Sequence, residues 1–201
     1  MIRTKTDMTN VQSYYDDCAL TINDDAKAMG WSSTFNQQLR FDVMNYMVDM
    51  SNCSVLDVGC GDGALFHYFM EHNIAVKYKG VDISPKMVSR AHNRFPGINL
   101  RCADFFDIQE QFDVVVCSGS LSMAQNVDPM TYLEAAIDHL LSITKSQLVF
   151  NLLSDYVPSK SDLFNRYHPQ DVMDLCFKKI RYVNLNHGYL PNDFTIQLIK
   201  E

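Results

Sequence analysis

The chain has 201 residues, 47% of them hydrophobic, and a net charge of −7, so it can bury one substantial core. No apolar run approaches the roughly 20 residues of a membrane-spanning helix, the N-terminus has no apolar signal core, and no lysine and arginine cluster offers counter-charge to a phosphate backbone. These features exclude a helical membrane protein and argue against nucleic acid as a partner. The six scattered cysteines contain no close pair of the zinc-binding kind, so the expectation is a cytoplasmic protein with reduced thiols and no metal.

In chain order, an aromatic segment with Tyr14, Tyr15 and Trp31 precedes a capping-box signal at Thr34 and Gln37. That signal opens a helix to about Met50, with Phe35, Leu39, Val43 and Met47 as its expected apolar stripe. Val55 to Val58 reads as a buried strand, followed by glycines, a helix over Gly63 to His72, and a strand ending at Asp82. Ser84 and Pro85 supply an N-cap and a first-turn proline for a helix that stops before Pro96 and Gly97. Strands follow at Ile98 to Cys102 and Phe112 to Gly119, separated by a segment with room for a single helical turn. Asp128 and Pro129 open another helix, to Ser142, then come a strand over Gln147 to Leu152 and a short helix over Pro169 to Cys176. Arg181 to Leu185 and Phe194 to Ile199 read as strands joined by a loop, a connection short enough to demand an antiparallel hairpin. The predicted fold is α/β: a three-layer α/β/α sandwich around a seven-stranded, mostly parallel sheet closed by that hairpin. One domain over 1–201 is expected, with an N-terminal lid and helix at 1–50 and a Rossmann-like core at 51–201.

Glycines between a buried strand and a helix let backbone approach a ligand where a Cβ would collide, so a nucleotide-like ligand is expected there. Gly59, Gly61 and Ala64 also satisfy the dinucleotide fingerprint. Asp57 separates the alternatives: a carboxylate just before the first glycine opposes a pyrophosphate and favours a cation. S-adenosylmethionine is such a ligand, with an α-ammonium, a sulfonium and ribose hydroxyls that an acid such as Asp82 can accept from.

With Asp57, Gly59, Gly61, Gly63, Asp82, Asp104 and the strand Phe112 to Gly119 in order, the chain resembles the class I S-adenosylmethionine-dependent methyltransferases. The resemblance implies that Asp57, Gly59, Cys60, Gly61 and Gly63 surround the methionine moiety. It places Asp82 with Ile83 at the ribose, Asp104 and Phe105 at adenine, and Ser118 and Gly119 beneath the sulfonium. Arg40 would reach the donor's carboxylate, as an arginine of this helix does in some relatives; a solvated helix arginine is the other reading. Trp31 could close over the sulfonium by cation–π attraction or simply pin the lid to the domain.

Methyl transfer is an in-line displacement that orientation and desolvation can promote, so the motifs name the donor and leave the acceptor open. Candidate groups at the acceptor are Tyr15 in the lid, Tyr156 after the fifth strand, and His187 between the last two strands, where it could serve as a general base. Glycine, proline and asparagine around His187 also read as ordinary turn chemistry. With only the lid outside the core, a small-molecule acceptor is favoured. The alternatives are an RNA or protein methyltransferase working with a partner subunit, and a non-catalytic S-adenosylmethionine-binding protein.

Overall fold

The structure is a computed structural model that describes residues 5–21, 34–124, 126–158 and 162–201. It begins with helices α1 (Lys5–Thr21) and α2 (Thr34–Met47), then runs β1 (Ser54–Val58), α3 (Ala64–Glu71), β2 (Lys77–Asp82), α4 (Pro85–Arg94) and β3 (Leu100–Cys102). A 3-10 turn (Phe105–Asp107) leads into β4 (Phe112–Cys117), α5 (Pro129–Ile143), β5 (Thr144–Leu153), α6 (Pro169–Phe177), β6 (Tyr182–Leu190) and β7 (Asp193–Ile199). The strands form one seven-stranded sheet in the order β3-β2-β1-β4-β5-β7-β6. The first five are parallel, whereas β7 pairs antiparallel with β5 and β6 antiparallel with β7.

Local chemistry sets most boundaries. Ser84 accepts from the Met87 amide at 3.1 Å and Pro85 follows it, which starts α4. Asp128 does the same for Thr131 at 2.8 Å and starts α5. Asp104 accepts from the Phe106 amide at 3.2 Å and supports the single turn between β3 and β4. Side-chain alternation along the strands then feeds two cores. Leu56, Val58, Val115 and Phe150 pack with Leu133 and Ile137 of α5 and Val172 of α6, while Val55, Val116 and Val149 meet Phe41 and Met44 of α2 and Phe69 of α3. Strand order reverses direction between β1 and β4, so a crevice opens at their carboxyl ends.

Three expectations need correction. Residues 5–21 form a 17-residue helix, so Tyr14 and Tyr15 sit within the first helix and not ahead of it. The buried face of α2 is Gln37, Arg40, Phe41, Val43 and Met44; of the expected stripe Val43 is buried, whereas Phe35 is 69% exposed. Asp193 pairs with the Arg40 guanidinium and Gln37 lines the crevice, so polar residues share the buried face of α2 with Phe41, Val43 and Met44. Finally, the segment read as a loop around His187 belongs to β6, with a register irregularity between Asn186 and Leu190. Pro191 and Asn192 alone separate β6 from β7.

Candidate active site

The glycine turn folds over the end of β2, with the Gly59 and Cys60 amides donating to the Val81 carbonyl at 2.8 and 3.1 Å. Gly59 has φ +75°, and a Cβ there would lie 2.4 Å from the Ser120 Cβ, so glycine is required both by conformation and by the close approach of the loop after β4. Those two loops form the floor of a cleft.

The cleft brings together Asp57, Gly59, Cys60, Gly61, Asp82, Ile83, Asp104, Phe105, Ser118 and Gly119 with Tyr15 of α1, all of them named from the sequence, Tyr15 as a candidate at the acceptor. Gly63 is not among its lining residues. It occupies the left-handed N-cap of α3, with Phe95 and Ile98 packed where a Cβ would project.

The charged lining consists of Asp57, Asp82 and Asp104, with no lysine or arginine among the described lining residues. Burial raises the Asp57 carboxyl to about 7 despite the 2.7 Å bond donated by the Tyr78 hydroxyl, and nearby Asp82 pushes the same way. Asp82 is also raised, chiefly by desolvation, although the Ser84 and Gly61 amides donate to it at 2.8 and 2.9 Å and oppose the shift. Each of those amides takes one lone-pair site and leaves others for a ligand hydroxyl. Burial pushes the Cys60 thiol up, so it remains an uncharged wall. Ser118 Oγ and Ser120 Oγ are buried with no hydrogen-bond partner among the described residues. Cations and hydroxyls would be at home here, and a phosphate would not.

Arg40 lies elsewhere. Its guanidinium donates to Asp193 through Nε at 2.8 Å and Nη2 at 2.6 Å, and Nη1 donates to the Asn36 carbonyl at 2.9 Å. Trp31 lies outside the described residues. Tyr156 and His187 are not part of the cleft lining but gather past the carboxyl end of β5, their rings 5.6 Å apart. His168 stands 5.2 Å from the Tyr156 ring and 3.2 Å from Asp155, and His187 Nε2 is buried without a hydrogen-bond partner among the described residues.

Beyond Tyr15, sequence reasoning missed what α1 and α2 give the cleft: Val11, Gln37 and Phe41 line it. The helical spacing of Gln37, Phe41 and Met44 was the available signal, hidden because Gln37 is polar. Ser120 was missed because only its contact with Gly59 reveals it.

Residues 55–142 match a family profile described as a methyltransferase domain. Across 156 residues the chain is 31% identical to a Mycobacterium tuberculosis protein named as a putative methyltransferase, covering 73% of this chain and 93% of that protein. The fold is similar to the crystal structure of magnesium protoporphyrin IX methyltransferase from Synechocystis PCC 6803 with bound SAM. That similarity has a TM-score of 0.68, 19% identity and 97% coverage of each chain. It is also similar to the N-methyltransferase of Bradyrhizobium japonicum WM9 in complex with S-adenosyl-L-homocysteine, with TM-score 0.67, 17% identity, and coverage of 94% and 98%.

Proposed function

Because the chain belongs to the class I S-adenosylmethionine-dependent methyltransferases, with S-adenosylmethionine as cofactor, we propose that it methylates a small-molecule acceptor at the cleft above the glycine turn. The observation that carries the site assignment is a cleft with three carboxylates and no basic lining residue among those described. Bound there, the cofactor supplies an electrophilic methyl group and leaves as S-adenosylhomocysteine once the sulfur has taken up the bonding electron pair. In this reading Asp57 and the turn at Gly59, Cys60 and Gly61 hold the cationic methionine end, with Gly63 shaping the turn from behind. Asp82 and Ile83 flank the ribose, Asp104 and Phe105 the adenine, and Ser118 and Gly119 lie under the sulfonium. Arg40 supports this floor from below through Asp193.

Tyr15 faces the same cleft, where burial and the nearby Asp82 keep its hydroxyl protonated. Its role is that of an O–H donor and not a base. His187, the candidate base, and Tyr156, a candidate wall of the acceptor pocket, stand outside the cleft lining, so in this reading the acceptor extends from the cleft to their cluster for His187 to take its proton. The small-molecule reading is supported by the net charge of −7 and by the porphyrin acceptor named for one structural neighbour. Six free cysteines support a cytoplasmic location, and no helix among the described residues is long and apolar enough to cross a membrane. We read residues 1–201 as one catalytic unit.

Incubating the protein with methyl-labelled S-adenosylmethionine and separate pools of metabolites, RNA and protein tests this. Label in the metabolite pool alone is expected; label confined to RNA or protein would overturn the acceptor assignment, and donor binding without transfer would leave a sensor.

A further inference from the structure

Beneath the cleft floor lies a polar network that donor contact does not explain. Asp193 is fully buried and accepts from Arg40, from Asn151 Nδ2 at 2.9 Å and from the Tyr189 hydroxyl. Asn151, also buried, turns its Oδ1 the other way and accepts from the Gly119 amide at 2.7 Å. The amide of Asn151 can satisfy both contacts in only one orientation, and the Asp193 carboxylate, which only accepts, selects it. A buried ion pair roughly breaks even in stability against apolar packing, so stability alone does not account for this arrangement.

We propose that Asn151, oriented by the Arg40–Asp193 ion pair, is a positioning residue of the donor site that fixes the Ser118–Gly119 peptide. Gly119 has φ +81°, a conformation in which glycine moves freely, so this peptide needs an external anchor. In a trans peptide the carbonyl points opposite to the N–H, so anchoring the Gly119 amide to Asn151 turns the Ser118 carbonyl away from the buried side. Donation by the Gly119 N–H also polarises that carbonyl, making it a stronger acceptor for the donor's α-ammonium, the cation that S-adenosylhomocysteine keeps and 5′-methylthioadenosine lacks. The network draws on α2, β5, β7 and, through Tyr189, β6, so the hairpin end of the sheet and the donor floor share one set of bonds.

This inference rests on the donor-site assignment above, and the test separates the two. S-adenosylhomocysteine and 5′-methylthioadenosine, which lacks the amino-acid end, are titrated by calorimetry into wild-type protein and Asn151→Ala. The expected result is at least a tenfold loss of affinity for S-adenosylhomocysteine with 5′-methylthioadenosine held within twofold. Equal losses for both ligands, or no loss for either, would overturn the positioning role. Wild-type protein that binds neither would overturn the donor site and this inference with it. Should Asn151→Ala not fold, Asn151→Asp decides. Its new carboxyl faces Asp193, with Arg40 and Tyr189 behind, and only when protonated can it donate to Asp193 while still accepting from Gly119. Affinity for S-adenosylhomocysteine, relative to wild type at the same pH, is expected to recover between pH 8 and pH 6. A ratio that does not change with pH would overturn the proposal.

Discussion

The two ends of this sheet are built on different principles. At the donor end, backbone does the work: left-handed glycines, amides aimed at Asp82, and a loop after β4 so close that a Cβ at position 59 would lie 2.4 Å from the Ser120 Cβ. At the hairpin end, side chains of His187, Tyr156 and His168 stand at ring separations of 5 to 6 Å around a bulged strand. Backbone sites are rigid and tied to one ligand, whereas side-chain clusters on irregular strands can be rebuilt residue by residue. A family that keeps one methyl donor and changes acceptors would divide its labour this way.

The sharpest way to break this contrast is Asp82→Ala. Loss of a carboxylate that is held by two amides and is available to ribose hydroxyls is expected to weaken S-adenosylmethionine binding about a hundredfold while the circular dichroism spectrum is unchanged. Retained affinity by calorimetry would dismiss the ribose assignment. Next is Gly59→Ala, which combines an unfavourable φ with a clash against Ser120. A stability loss of about 1 to 3 kcal/mol in chemical denaturation is expected, together with weakened donor binding. A neutral substitution there would show that the donor floor is less rigid than its geometry implies.

Proton linkage at Asp57 gives a smaller effect. Its carboxyl, raised from an ordinary 3.8 to about 7, holds a proton in the ligand-free protein below neutrality, and a cationic donor favours the ionised form. Affinity for S-adenosylmethionine is therefore expected to fall several-fold from pH 8 to pH 6, with proton release seen as a buffer-dependent binding enthalpy. The same shift makes the stabilising contribution of protonated Asp57 complete below pH 4 and lost as pH rises through about 7. Asp57→Asn should therefore melt higher than wild type at pH 8, show no such advantage at pH 4, and bind the donor with a flatter pH profile. The smallest effect on donor binding belongs to the other end of the sheet. Tyr156→Phe and His187→Asn should leave S-adenosylhomocysteine affinity within twofold while lowering turnover on a confirmed acceptor. A donor-binding defect in either would merge the two regions.

The donor end was legible because its signals are local. Glycines at 59, 61 and 63, the caps at Ser84 and Asp128, and the one-turn crossover at Asp104 each state their own conformation within a few residues. What stayed hidden depends on distant partners. Gln37 and Arg40 look solvent-facing until the cleft and Asp193 are in place, 153 residues from Arg40 in the second case. Gly188, Pro191 and Asn192 around His187 suggest a turn, yet pairing with β7 draws most of that segment into a strand. Helix α1 escaped notice because it buries only Val11 and Cys18 among its described side chains and has no continuous apolar stripe.

That sparse burial of α1 has an energetic consequence. The helix is fastened to α4 by Asp16, which accepts from the Ser84 hydroxyl at 2.5 Å, and by Arg90, which donates to the Ala19 carbonyl at 3.3 Å, while Val11 and Tyr15 look into the cleft. A ligand that touches those two residues adds its own binding energy to the docking of the helix, and reciprocity requires the docked helix to hold the ligand more tightly by the same factor. Amide exchange in α1 should thus slow as the cleft fills, and the residence time of spent cofactor becomes a property of a helix far weaker than the sheet beneath it.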